Sequence, residues 1–300
     1  MQPMQLFCPV CSDMLELSNE GRTLRCISGH SFDRAKQGYW NLLLVQSKRS
    51  KDPGDNPEMV QARTRFLDSG FYQPVLQTLC ETLDRLVPHS VAIADLGCGE
   101  GYYTSGLQQH RLAQGYADEI LGLDISKHAV RAAARRSKEI TWAVGSSARI
   151  PVPDASLDLA LIIFSKILSE PLERVLKPGA TLLVAYPGPA HLMSLRELIY
   201  DEVRESESDP ISQLSDAFTL EKTLGSPFEI ELKGNQQISD LLAMTPHGQR
   251  MRESKREQLL SLESLVTEVD IRFAQIRYQP RPSDTDGARD CDIERQLENE

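Results

Sequence analysis

Apolar residues recur at helical spacing over residues 73–86, where Val75, Leu76, Leu79, Leu83 and Leu86 share one face. A helix is also predicted from Pro57 to about Asp68, with Asn56 as its cap and proline at the first helical position. From Val91 the pattern changes to short apolar runs alternating with amphipathic stretches. VAIADLG, EILGLDIS, ITWAVGS, LDLALIIF and ATLLVAYPG read as strands, with helices over 101–109, 127–137 and a stretch ending at LKPGA. Such alternation predicts parallel pairing in an α/β, doubly wound sheet. The near-continuous apolar runs predict strands covered on both faces. Further on, residues 191–204 look helical. FEIELKG and VDIRFAQIRY look like strands that could complete the sheet as an antiparallel edge. Residues 46–59 are polar, with proline and glycine in the middle, and read as a loop. Residues 281–300 are polar and charged, and disorder is expected there.

Three hundred residues, 40% of them hydrophobic and 25% charged, are enough for one or two soluble domains with a real core. The longest apolar run, residues 159–164, is far short of the roughly 20 residues that a membrane helix needs. The first residues lack a basic stretch followed by an apolar run, so no secretory signal and a cytoplasmic location are expected. The net charge of -10 argues at first against a nucleic-acid partner. Its distribution weakens that objection. Residues 1–51 carry seven Lys/Arg against four Asp/Glu, whereas residues 280–300 carry three against seven.

Cys8, Cys11, Cys26 and His30 lie within 23 residues, in the spacing C-x2-C-x14-C-x3-H. Cysteines two residues apart on a tight turn can face one ion, and Cys26 with His30 forms a second such pair. Three sulfurs and one nitrogen suit tetrahedral zinc, and four protein ligands leave no open position, so the site should be structural. About 40 residues make too little core to fold unaided, and metal binding would supply the missing free energy. Phe7, Phe32, Tyr39 and Trp40 surround the cluster, and Arg34, Lys36, Lys48, Arg49 and Lys51 follow. Basic residues interleaved with aromatics beside a zinc module suit RNA, although a charge run is also an ordinary solvated face. Cys80, Cys98 and Cys291 are isolated; Cys80 reads as a small buried hydrophobe.

IADLGCGEGYYT follows a predicted strand and opens a predicted helix. Its glycines, Gly97, Gly99 and Gly101, are spaced G-x-G-x-G, and Tyr102 stands where a dinucleotide fingerprint needs its last glycine. Asp95 before the loop suits an ammonium better than a pyrophosphate. Asp124 ends the second strand and can accept hydrogen bonds from ribose hydroxyls. Ser146 and Ser147 would lie beside an adenine, and Asp158 leads into the fourth strand. The set points to S-adenosylmethionine, whose sulfonium is compatible with an acidic pocket.

These residues, together with HSFDRAKQGYWNLL, KRSKDPGDNPEMVQAR, FLDSGFYQPV, YPGPAHLMSL and LLAMTP, resemble the RlmA family of bacterial 23S ribosomal RNA guanine-N1 methyltransferases, over residues 6–280. The resemblance implies a class I S-adenosylmethionine-dependent methyltransferase, with a Rossmann-like doubly wound sheet and an N-terminal structural zinc module that recognises RNA. It implies a homodimer and a target guanine in a hairpin of domain II of the large-subunit RNA. The expected division is a zinc module over 1–45, a basic linker with helices over 46–85, a methyltransferase domain over 86–280 and an acidic tail over 281–300. Carried onto this chain, the zinc ligands are Cys8, Cys11, Cys26 and His30. The family's cofactor positions are Tyr72, Glu100, Gly101 and His191, and the ribose argument adds Asp124 to the loop glycines Gly97 and Gly99. No residue stands out as the base for the N1 proton; Glu170 and His191 are candidates, and Thr245 with Pro246 would shape the far wall of the pocket. A small-molecule methyltransferase of the same fold and a non-catalytic zinc-containing RNA-binding protein are the alternatives. The zinc module speaks against the first, and the intact DLGCGEG and LGLDIS against the second.

Overall fold

The computed structural model of the chain describes residues 4–18, 21–44, 50, 52–203, 209–245, 247–248 and 251–280. Lys48, Arg49, Lys51, Pro246, Cys291 and the acidic tail lie outside these residues.

Three short strands, β1 (Glu16–Ser18), β2 (Thr23–Arg25) and β3 (Ser31–Asp33), form an antiparallel sheet over the cysteine cluster. Next come β4 (Trp40–Asn41), α1 (Pro57–Asp68) and α2 (Gln73–Leu86). As predicted, Asn56 caps α1, its side chain accepting from Met59 N at 2.9 Å. The alternating part follows as β5 (Ala92–Leu96), α3 (Tyr102–Ala113), β6 (Glu119–Asp124), α4 (Lys127–Arg136), β7 (Thr141–Val144), β8 (Leu157–Ile163), α5 (Ser169–Val175) and β9 (Leu176–Pro187). After it come α6 (Met193–Ile199), β10 (Phe218–Leu224), β11 (Phe228–Lys233), α7 (Gly234–Met244), α8 (Glu253–Leu260), β12 (Ser264–Val269) and β13 (Ile271–Tyr278).

The main sheet runs β10-β13-β9-β8-β5-β6-β7-β4. Neighbours from β9 to β4 are parallel, and β13 and β10 are antiparallel. The strand order reverses between β5 and β8, and ligands bind beyond the carboxyl ends of the strands at such a point. The sheet is buried on both faces by two apolar clusters, one of them holding Leu6, Leu15, Leu24 and Leu42 of the N-terminal segment beside Leu123, Ala143 and Val152. Backbone bonds from Phe7 N to Pro151 O and from Leu42 N to Val144 O, both 2.9 Å, tie the same segment to the sheet. The zinc module therefore shares both core and sheet with the doubly wound part.

Several expectations need correction. FEIELKG does not join the main sheet; β11 pairs with β12 in a separate two-stranded ribbon. One edge of β13 is taken by β9 and the other by β10, so no edge is left for β11. VDIRFAQIRY does join the main sheet antiparallel to β9, as expected, but the strand begins at Ile271; Val269 closes β12, and the buried Asp270 parts the two. The helix before LKPGA ends at Val175, and Leu176 already belongs to β9. The helix expected over 191–204 is confined to Met193–Ile199.

One buried ion pair fastens the start of the sheet. Arg111, 1% exposed, donates to both Asp118 oxygens at 2.7 and 2.9 Å and to the carbonyls of Val87 and His89 at 2.7 and 2.6 Å. Asp118 also accepts from Val91 N at 2.9 Å. Breaking such a pair on one side leaves a buried charge uncompensated. Arg111→Met should therefore destabilise the chain by about 3–5 kcal/mol in a denaturant titration; a loss of under about 1 kcal/mol, typical of an exposed pair, would contradict this role.

Candidate active site and metal centre

Two turns build the metal centre. In the first, Ser12 N donates to Cys8 O at 2.9 Å and Val10 N to Cys8 Sγ at 3.4 Å. In the second, Gly29, at φ +86°, donates to Cys26 O at 3.0 Å. Ser28 Oγ donates to Asp13 Oδ2 at 2.7 Å and clamps the turns together. The donor atoms of Cys8, Cys11, Cys26 and His30 then lie within 4.8 Å of one another. Cys11 Sγ is 3.6 Å from Cys26 Sγ, which is 3.3 Å from His30 Nδ1. Zinc bonds of about 2.3 Å to sulfur and 2.0–2.1 Å to nitrogen require tetrahedron edges of about 3.5–3.8 Å, so the quartet fits the ion. A zinc held here has its four ligands from the protein and is structural. Cys80 and Cys98 are buried elsewhere and take no part.

The glycine loop joins β5 to α3. Gly97, Gly99 and Gly101 adopt φ of +91°, +55° and +84°, in the left-handed region that glycine enters at little cost. Their surroundings separate their roles. A Cβ on Gly97 would stand 2.1 Å from Ser165 Oγ, and one on Gly101 2.8 Å from Ala133 Cβ and 2.9 Å from the Trp142 ring. Around Gly99 nothing lies within 4 Å, so bare backbone faces open space. Gly97 and Gly101 permit packing; Gly99 leaves room for a ligand.

Asp124, at the end of β6, braces this loop. Its Oδ2 accepts from Gly99 N at 2.9 Å and its Oδ1 from Ser126 N at 2.7 Å. Burial raises its carboxyl above the usual range, and those two N–H groups oppose the rise. Ser146 and Ser147 follow β7 at the same end of the sheet, where Gly145 N donates to Asp124 O at 2.9 Å. Asp95, 1% exposed, accepts from Thr104 Oγ1 at 2.5 Å, while its Oδ1 has no partner among the described residues. Burial pushes its carboxyl up to about 7, against the pull of the Thr104 hydroxyl. An orphaned acceptor beside open glycine backbone suits a cationic or hydroxyl-bearing ligand.

Glu100 lines the small pocket described below, and its Oε1 is buried with no partner among the described residues. It is ion-paired with Arg136 of α4, which also binds Asp68 at 2.9 Å. Burial raises the Glu100 carboxyl, and Arg136 limits the rise. Asp158 does not belong with these groups. It lies near the opposite end of the sheet, at the start of β8, where it accepts from Ala92 N at 2.9 Å and pairs with Lys177 at 2.7 Å.

A small pocket of about 40 Å³ lies against Asp95, Gly97 and Gly99 and meets a cleft of about 590 Å³, with Arg63, Phe164 and Met244 lining both. The cleft opens over the carboxyl ends of β8 and β9. Tyr72 and His191 both line it, with ring centroids 6.4 Å apart in an edge-on arrangement. Burial raises the Tyr72 phenol well above its ordinary value and lowers His191 to about 4, so His191 is neutral near pH 7. Its Nδ1 has no partner among the described residues. Thr245 and His247 also line the cleft. Glu170 is exposed in the first turn of α5 and does not line the cleft.

Two further residues shape the site without any sequence signal. Asp270 holds the loop that carries His191. It accepts from Ala190 N at 3.2 Å through its carboxylate and from Gly188 N at 2.8 Å through its carbonyl. Phe164 adopts φ +54° and is 42% exposed, where the small pocket meets the cleft. A bulky residue in the left-handed region costs about 1–3 kcal/mol and persists only where its surroundings demand it.

Comparison with known proteins agrees with this geometry. Residues 6–51 match the zinc-ribbon family described as "RlmA, N-terminal", and residues 93–183 match a methyltransferase domain. The chain is 39% identical over 194 residues to the 23S rRNA (guanine(748)-N(1))-methyltransferase of Streptomyces fradiae, a match covering 63% of this chain and 66% of that one. It is 36% identical over 208 residues to a Micromonospora griseorubida protein provisionally named 23S rRNA guanine-N1 methyltransferase, covering 63% and 68%. A Bacillus subtilis protein with the same provisional name is 29% identical over 272 residues, covering 88% and 94%. The chain belongs to the RlmA family of S-adenosylmethionine-dependent 23S rRNA (guanine-N1)-methyltransferases, with its zinc ribbon and its methyltransferase domain both in place.

Proposed function

We propose that the protein transfers a methyl group to N1 of one guanine in a hairpin of domain II of 23S ribosomal RNA, acting as a cytoplasmic homodimer. The division of labour would follow residues 1–45 as the RNA-recognising zinc module, 46–85 as linker, 86–280 as the catalytic domain and 281–300 as an acidic tail. The observation that carries the reading is the bare loop backbone at Gly99, with unsatisfied Asp95 beside it, adjoining a cleft of about 590 Å³ in the same body as a zinc ribbon.

In this reading Asp124 accepts the ribose hydroxyls with the lone pairs left over from Gly99 and Ser126. Asp95 meets the ammonium group, and the Gly97–Gly101 backbone allows close approach. Tyr72 and His191 form the wall beside the donor. S-adenosylmethionine, when bound, supplies an electrophilic methyl group for an in-line displacement. The residues of the cleft contribute alignment and exclusion of water. Phe164 is placed to carry the flat face of a base that has left its stack. Neutral His191 can hydrogen-bond without repelling the sulfonium, since a group at about 4 carries no charge at neutral pH. The N1 proton must leave before or during attack; in the cleft Asp55 is committed to Arg63 at 2.7 Å, and His191, at about 4, is a weak base, so stabilisation of the developing charge on the base is the larger contribution.

The direct test is incubation of the chain with labelled S-adenosylmethionine and 23S RNA that lacks the modification. Primer extension should stop one nucleotide before a domain II guanine, because an N1 methyl blocks base pairing. Label in RNA with no such stop, or no label in RNA, would defeat the reading. Asp124→Asn should weaken cofactor binding by about tenfold or more in calorimetry, the scale of a lost charge-assisted hydrogen bond; unchanged affinity would remove Asp124 from the ribose site. A strong chelator should release one zinc per chain and lower the melting temperature of the whole protein, since the ribbon shares the sheet's core. A single unshifted transition after zinc release would contradict the shared core.

A further inference from the structure

The groove between α1 and α4 lies outside the cofactor pocket and encloses about 630 Å³. Most of the charge around it is neutralised. Arg65 pairs with Asp240, Arg136 with Asp68 and Glu100, and His128 with Asp52. Arg131 and Arg135 are exposed and have no acidic partner among the described residues. In a chain of net charge -10, two unneutralised arginines in one groove are a local excess of positive charge. They stand four residues apart on α4, about 6 Å along its axis, and so can meet neighbouring groups of an extended anion. Beside the groove, the Asp52 carboxylate bridges Lys127 Nζ at 3.2 Å and His128 Nε2 at 2.8 Å. Glu100 forms part of both this groove and the small pocket, so an anion held here sits on the back of the glycine loop.

We propose that this groove is a second RNA-backbone site, in which Arg131 and Arg135 take phosphodiester groups flanking the hairpin that enters the cleft. This rests on the RNA reading above. Each phosphate neutralised by an arginine releases counterions and adds to the salt dependence of binding without reading sequence.

The test measures binding of the unmodified domain II RNA across a salt series, for the full chain with zinc bound. Arg131→Ala with Arg135→Ala should weaken binding several-fold and lower the slope of log K against log salt by about 1 per arginine. Cofactor affinity in calorimetry should stay unchanged. Arg131→Lys with Arg135→Lys should restore most of the slope, since lysine serves a phosphate as a point charge. Arg85→Ala with Lys222→Ala, which removes the same charge from other exposed positions, should alter the slope by clearly less. An unchanged slope in the alanine pair, or an equal fall in the control pair, overturns this site while leaving the function standing. Failure of the wild-type chain to bind RNA overturns both.

Discussion

The hydrogen bond from Gly99 N to the Asp124 carboxylate is the contact on which the site depends. It joins the turn after β5 to the end of β6, and β5 borders the point where the sheet order reverses. A carboxylate committed to two backbone N–H groups is held in one orientation, and so is the loop. Gly97 and Gly101 complete the constraint by letting the loop lie directly against Ser165, Ala133 and Trp142. Gly99 is thereby left as bare backbone above open space. The geometry is set before any ligand arrives, so binding has little ordering cost to meet.

The zinc ribbon enters the same structure from the opposite edge. Trp40 and Asn41 pair in parallel with β7, and the residues around the cysteines share an apolar cluster with β6, β7 and β8. A zinc-folded segment that added only a flexible appendage would leave the position of bound RNA loose relative to the methyl donor. Through β4 and the shared core, the quartet instead fixes the ribbon relative to the cleft. The basic groove on α4 extends that logic to a second face of the molecule.

Local chemistry was legible in the sequence where it rests on local rules. Asn56 and Pro57 announced α1, the glycine spacing announced the turn after β5, and the cysteine–histidine spacing announced two turns that meet. Long-range pairing was not legible. FEIELKG has the alternation of a strand, but which strand it pairs with depends on β10, whose mostly polar surface-facing residues carry little signal. Asp158 leads into β8 as expected, but a strand's length separates that end of β8 from the cofactor end, so it is no part of the pocket. Asp270 reads as one residue inside a continuous strand, and only the fold shows that it breaks the strand and holds the His191 loop. The positive φ of Phe164 is invisible to any pattern of hydrophobicity.

In the proposed function a nucleoside sulfonium is held by the loop at Gly99 and the carboxylate of Asp124. A crystal structure of the zinc-loaded chain with S-adenosylhomocysteine tests it most directly. Ribose hydroxyls should lie within hydrogen-bond distance of Asp124, with the nucleoside over the Gly99 backbone and the sulfur directed at the cleft beside Phe164. A nucleoside bound elsewhere, or an Asp124 carboxylate that keeps only its two backbone partners while the pocket is filled, would contradict it.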